Sequence, residues 1–306
     1  MTRRGPGAQA ALPALLLAVV AVSFSAIFIR LADDSAPTVV WVRMAMTVAL
    51  LAPWLLLDVR RGAIPQSRRD WLLVLASGLF LAAHFLTWTF SLRYTSVASS
   101  VLLVTLHPIL VAWLGRRLLG EPVSPRLAAG IALAIAGTAV TSTGDWRAGG
   151  SALFGDLLAL AGAATFTGYL LLGRTVRTRA GTAGYSVPVY TVVAVCSVAI
   201  APLTGGNVLP SARTALACLG LAAVCTVLGH TIFNWTLRHL RTALVSVSLL
   251  GEPVITSLLS IPILRELPPG EALAGGAVIL SGLALALSDR GTAVADVDPV
   301  ALATPE

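Results

Sequence analysis

SLRYTSVASSVLLVTLHPILVAWLGRRLLGE, residues 91–121, aligns without a gap on TLRHLRTALVSVSLLGEPVITSLLSIPILRE, residues 236–266, at an offset of 145 positions. The register pairs Arg93 with Arg238, Ala98 with Ala243, Pro108 with Pro253 and Glu121 with Glu266. It runs on through Gly130 with Gly275 and Gly137 with Gly282. Apolar helices share leucine and alanine through composition alone. A proline, a glutamate and two glycines in one register are harder to obtain by chance and point to an internal duplication.

Outward from this pair the chain reads as ten apolar spans. They lie near 11–31, 37–57, 71–92, 95–115, 126–143, 153–173, 184–204, 213–236, 242–264 and 271–288. Each approaches the roughly 20 residues that a bilayer's hydrocarbon core demands of a helix. Between them stand helix-boundary signals: Asp33-Asp34 before Pro37, the stretch from Asp58 to Asp70, Glu121 to Pro125, Gly144 to Gly150, and Thr204 to Pro210. Five spans per half is an odd number, so the second half enters the membrane from the opposite side. The expected fold is an all-α membrane protein of ten transmembrane helices, arranged as two inverted five-helix repeats over 11–143 and 153–288. Residues 289–306 read as a disordered cytoplasmic tail.

Composition agrees. Of 306 residues, 57% are hydrophobic and 11% charged, with a mean hydropathy of +0.87. Soluble domains carry about a quarter charged residues, so the lipid bilayer is the expected partner. The +7 formal charge is scattered between apolar runs rather than gathered on a face, which argues against nucleic acid. All 21 basic residues are Arg. With no lysine, a Walker A loop and a lysine Schiff base are excluded, and no cofactor is expected. Cys196, Cys218 and Cys225 fall inside apolar runs and read as small hydrophobes, not metal ligands. The first span follows Arg3-Arg4 without a clear cleavage site and reads as an uncleaved helix.

The arginines orient the chain. With the N-terminus in the cytoplasm and ten crossings, fifteen arginines fall on the cytoplasmic side and five outside, leaving Arg43 within the second span. Both termini are then cytoplasmic, in a multi-pass protein of the cell (inner) membrane.

The quoted stretches resemble the third and fourth helices of EamA-type members of the drug/metabolite transporter superfamily, and the matching stretch of their second half. The shared pattern is a basic residue paired with an aromatic or His ending one helix (Arg93-Tyr94, Arg238-His239), a short step, a mid-helix proline and a glutamate just beyond. The resemblance covers residues 11 to 288, with one departure at His107, where a small or apolar residue is more usual. It implies two EamA repeats, a central substrate path, and efflux of small metabolites such as amino acids without ATP.

Ionisable groups deep in a lipid-embedded helix are costly and therefore candidates for function. Glu252, midway along the ninth span, precedes Pro253, which frees backbone carbonyls to face a cavity. It can bind a cationic group or carry a proton, or else pair structurally with a neighbouring helix. Arg43 offers a planar fork to an acidic group or a partner to Glu252, unless it snorkels to the headgroups. His107 occupies Glu252's position in the first half, again before a proline, Pro108, and suits proton coupling if it is not a packing residue. His84 and His230, each followed by a tryptophan (Trp88, Trp235), are candidates for cavity lining or for packing. Trp88, Tyr169, Tyr190 and Asn234 can supply pocket walls and hydrogen bonds. Glu121 and Glu266 read as helix-end partners, and the paired glycines as close-packing faces, with a homodimer seam as the minor alternative.

The resulting expectation is a secondary transporter that exports a small amino-acid-like or drug-like metabolite by alternating access. Its halves would rock about a site at Glu252, with protons as a candidate coupling ion and the oligomer left open between monomer and homodimer. The rival classes are an intramembrane enzyme, for which no HExxH or nucleophile–base pattern is present, and a passive channel or sensor.

Overall fold

The computed structural model describes residues 6–95, 97–118, 123–141, 151–240, 242–264 and 270–288. The expected tail and the helix-end residues Glu121 and Glu266 lie outside them. The first half contains α1 (Pro6–Val22), α2 (Ser25–Leu31), α3 (Ala36–Arg60), α4 (Arg68–Tyr94), α5 (Val97–Val104), α6 (His107–Leu118) and α7 (Pro125–Thr141). The second contains α8 (Ser151–Arg177), α9 (Thr182–Ile200), α10 (Ala212–Gly220), a π-helical segment Leu221–Thr231, α11 (Ile232–Thr236), α12 (Thr242–Ser248), α13 (Glu252–Leu264) and α14 (Gly270–Leu287). Among the described residues, seven helical stretches are long and apolar enough to cross a membrane, and Pro125–Val140 and Leu273–Leu287 are shorter apolar helices. The fourth expected span is helical but divided between α5 and α6. This is a multi-pass membrane protein.

The closest packing runs between the halves, not within them. The helix α4 lies along α8, α7 along α14, α3 along α9, and α1 along the π-helical segment. The two halves of the sequence are therefore interleaved rather than packed as two separate blocks.

Small residues close the α7–α14 pairing. A Cβ on Gly130 would stand 2.6 Å from the Gly282 carbonyl oxygen, and one on Gly137 2.6 Å from that of Gly275. The glycine faces expected from the sequence are therefore occupied against each other inside one chain.

Two ties join the halves at opposite ends of α3. At its start, Thr38 donates to the Asn207 carbonyl at 2.6 Å. Beside it, Asp33 accepts from Ser211 at 2.5 Å and Thr214 at 2.8 Å. At its end, the Gly181 amide donates to Ala63 at 2.7 Å, the Gly184 amide to Asp58 at 2.9 Å, and Arg179 pairs with Asp70 at 3.5 Å. The two ties are repeat-related. Ser67 caps α4 and Ser211 caps α10, each accepting from the amide three residues on, Asp70 or Thr214. Those third residues meet Arg179 and Asp33 respectively.

The hydroxyls of Ser211 and Thr214 hold the Asp33 carboxyl below its usual range. A carboxylate lowered on folding stabilises above its unfolded pKa and loses that contribution as pH falls through the folded value. Asp33→Asn is therefore expected to lower the thermal midpoint near pH 8 and to flatten the acid limb, so that variant and wild type converge at low pH. A wild-type acid limb in the variant would contradict the assignment.

Candidate functional site

The fourth and ninth expected spans, which carry Pro108 and Pro253, break at the same repeat position. Proline supplies no amide proton, so the carbonyl four residues earlier loses its helical partner. In the first half that carbonyl is Val104, which ends α5; Pro108 becomes the second residue of α6. His107 repairs the break, its Nδ1 lying 2.9 Å from the Val104 oxygen. In the second half α12 ends at Ser248, a tight turn spans Leu249–Gly251, and Pro253 is the second residue of α13. There the Glu252 amide donates to the Leu249 carbonyl, and its carboxylate occupies the positive N-terminal end of α13. The prolines thus start helices rather than kink them, and they set His107 and Glu252 at the two breaks.

These breaks border one cavity. Val104, Thr105 and His107 form one wall, Leu249 and Glu252 another, and Val22 and Ser25 from the break between α1 and α2 a third. His84 and Trp88 of α4, Phe166 of α8 and His230 complete it. About 40 Å³ is open to the centres of water molecules. That is room for roughly two or three waters at about 15 Å³ each, or one small polar head.

Phe166 organises the aromatic side. Its ring centroid lies 4.6 Å from His84, 4.9 Å from His107 and 6.1 Å from His230. His84 also stacks on Trp88 at 6.2 Å and directs Nδ1 to the Gly162 carbonyl at 3.0 Å. Trp88 Nε1, His107 Nε2 and His230 Nδ1 are buried without a hydrogen-bond partner among the described residues. Unpaired buried polar atoms are expensive, so this is a cavity suited to a hydrogen-bonding occupant.

Of the residues singled out from sequence, Glu252, His107, His84, His230 and Trp88 meet at this cavity. Arg43 stands behind it, only 2% exposed. Its Nε donates to Thr226 at 2.8 Å and its guanidinium carbon lies 4.4 Å from the Phe85 ring centroid. Phe85 in turn meets His230 edge-on at 5.2 Å. The arginine therefore does not snorkel, and neither it nor Phe85 is among the residues lining the cavity. Tyr169, Tyr190 and Asn234 form a neighbouring network instead. Tyr169 donates to Asn234 Oδ1 at 2.6 Å, and Asn234 donates to Ser186 at 2.8 Å and Tyr190 at 3.3 Å.

Sequence reasoning missed Phe166 and Ser25, because nothing in a run of apolar or small residues marks the one that faces a cavity. It also missed Thr226, which accepts the Arg43 bond and donates to Leu221, five residues back, within the π-helical segment. That wider turn presents the threonine to α3; π-helical turns recur at functional sites.

His107→Phe keeps ring volume but strands the Val104 carbonyl. It should lower stability by about 1–3 kcal/mol, measured by thermal unfolding in nanodiscs. His107→Asn, which retains a donor, should recover part of that loss.

The model of the EamA-like transporter family matches the chain twice, over residues 9–143 and 153–288. A crystal structure of a protein 21% identical to this chain superposes with a TM-score of 0.75, covering 90% of this chain and 97% of its own. At that identity the likeness shows the fold alone. No curated protein matches the chain.

Proposed function

The chain belongs to the EamA-like transporter family, and on that premise we propose that it is a secondary transporter exporting a small metabolite by alternating access. The substrate site is the cavity at the paired breaks, with Glu252 as its charged group and His84, His107, His230 and Trp88 as its polar and aromatic walls. The helices make ten crossings as two inverted repeats, 11–143 and 153–288, with both termini in the cytoplasm of a cell's inner membrane. Arg43, behind Phe85, offsets part of the Glu252 charge, and the Tyr169–Asn234–Tyr190 network steadies α8 and α9 beside the site.

The observation that carries this reading is the convergence of both repeat-related breaks on one cavity containing a carboxylate. Interrupted helices meeting between repeats are how secondary transporters build a midplane site that opens to either side. The interleaved packing supports motion of mixed helix bundles, with the two ties at the ends of α3 forming and releasing in turn.

Accessibility tests it. With Cys196, Cys218 and Cys225 replaced by Ala, Ser25→Cys places a thiol in the cavity wall. A membrane-impermeant thiol reagent should reach it from either face, each rate falling when the other face is favoured by added substrate. Labelling from neither face would rule out the cavity as a transport site, and fast two-sided labelling with ion leak would indicate a channel.

A further inference from the structure

The substrate class of this site can be read from its charge and its donor–acceptor balance, an inference that rests on the cavity being the transport site. Among the described residues, Glu252 is the formally charged side chain on the cavity wall. The carbonyls of Gly162 and Val104 only accept hydrogen bonds, so the facing Nδ1 atoms of His84 and His107 must carry the protons. In the neutral rings each Nε2 is then a lone-pair acceptor. Against a carboxylate and two imidazole lone pairs the wall sets Trp88 Nε1 and the one N–H of the His230 ring as donors. The Phe166 ring stands among the histidines, and aromatic faces attract cations.

Such a wall favours a ligand that is positively charged and rich in donors. A primary ammonium has three N–H donors and one charge, and its volume suits a cavity of about 40 Å³. A quaternary ammonium satisfies the charge but none of the acceptors. A zwitterionic amino acid brings a carboxylate as well, and no cation is among the described residues lining the cavity. Arg43 stands outside the lining, its Nε held by Thr226 and its Nη2 without a hydrogen-bond partner among the described residues. We propose that the cavity selects primary organic ammonium ions with a small apolar body and no carboxylate.

The test uses the full chain in lipid nanodiscs and three matched probes: propylamine, propyltrimethylammonium and 2-aminobutyrate. Binding is read from the thermal midpoint as a function of probe concentration. Propylamine should bind about tenfold or more tightly than either of the others, the scale of one lost charge-assisted hydrogen bond. Glu252→Gln should abolish its shift and Glu252→Asp should retain part of it, both at an unchanged basal midpoint. If 2-aminobutyrate or propyltrimethylammonium binds equally well in a Glu252-dependent way, the ammonium selectivity is wrong and the transporter reading stands. If propylamine binds but Glu252→Gln leaves its affinity unchanged, the cavity is not the site and both readings fall. No shift with any probe overturns the selectivity and leaves transport to be judged by the accessibility of Ser25→Cys.

Discussion

Gly137→Leu is expected to prevent α7 from seating against α14 and to destabilise the protein by about 3 kcal/mol or more. The reason is geometric. The first added carbon would stand 2.6 Å from both the Gly275 oxygen and the Ile279 amide nitrogen, and backbone atoms cannot rotate aside as a flexible side chain can. In lipid no hydrophobic force drives helices together, so close contact between small residues carries much of the association. An internal control exists one residue from the seam's partner. A Cβ on Gly276 meets only Val254 methyl groups, at 3.6 and 3.7 Å, which is ordinary contact. Gly276→Ala should therefore be neutral or slightly stabilising, because alanine is the better helix former by roughly 0.5–1 kcal/mol. Thermal unfolding of both variants in nanodiscs decides the matter. Equal midpoints would show that the two helices do not rely on the seam.

Much of this architecture was legible from the sequence because its physical signals are local. Apolar runs of bilayer length mark helices wherever they fall, and the 145-residue register fixed the correspondence of Pro108 with Pro253 and of His107 with Glu252. The same register placed Gly137 and Gly282 on packing faces, though only the structure reveals that these faces belong to α7 and α14 of one chain. What the sequence could not convey is partnership across the repeats. Arg43 gave no hint that Phe85 and Thr226 would enclose it, because each pair depends on how α3, α4 and the π-helical segment cross. Tyr169, Tyr190 and Asn234 were read as pocket walls and hydrogen-bonding groups; in the structure they hydrogen-bond one another and do not line this cavity. The prolines were read as mid-helix disturbances. They stand instead at helix starts, because a backbone that must break takes up proline most easily in the first turn of the following helix.

The largest functional effect should come from Glu252→Gln. The substitution keeps shape and hydrogen-bonding capacity while removing the charge from the cavity wall. If that carboxylate holds or exchanges the transported species, its loss removes an interaction that the neutral walls cannot replace, worth about 2–3 kcal/mol and so roughly 30- to 150-fold in rate. The fold should persist, because no described residue's hydrogen bond depends on the carboxylate and a neutral amide is cheaper to hold within a membrane than an ion. The most direct measurement is counterflow of labelled substrate in proteoliposomes, comparing wild type and Glu252→Gln at matched insertion and thermal midpoint. Wild-type exchange with at least a thirtyfold loss in the variant is the expected result. Undiminished exchange through Glu252→Gln would contradict a transport site at the paired helix breaks.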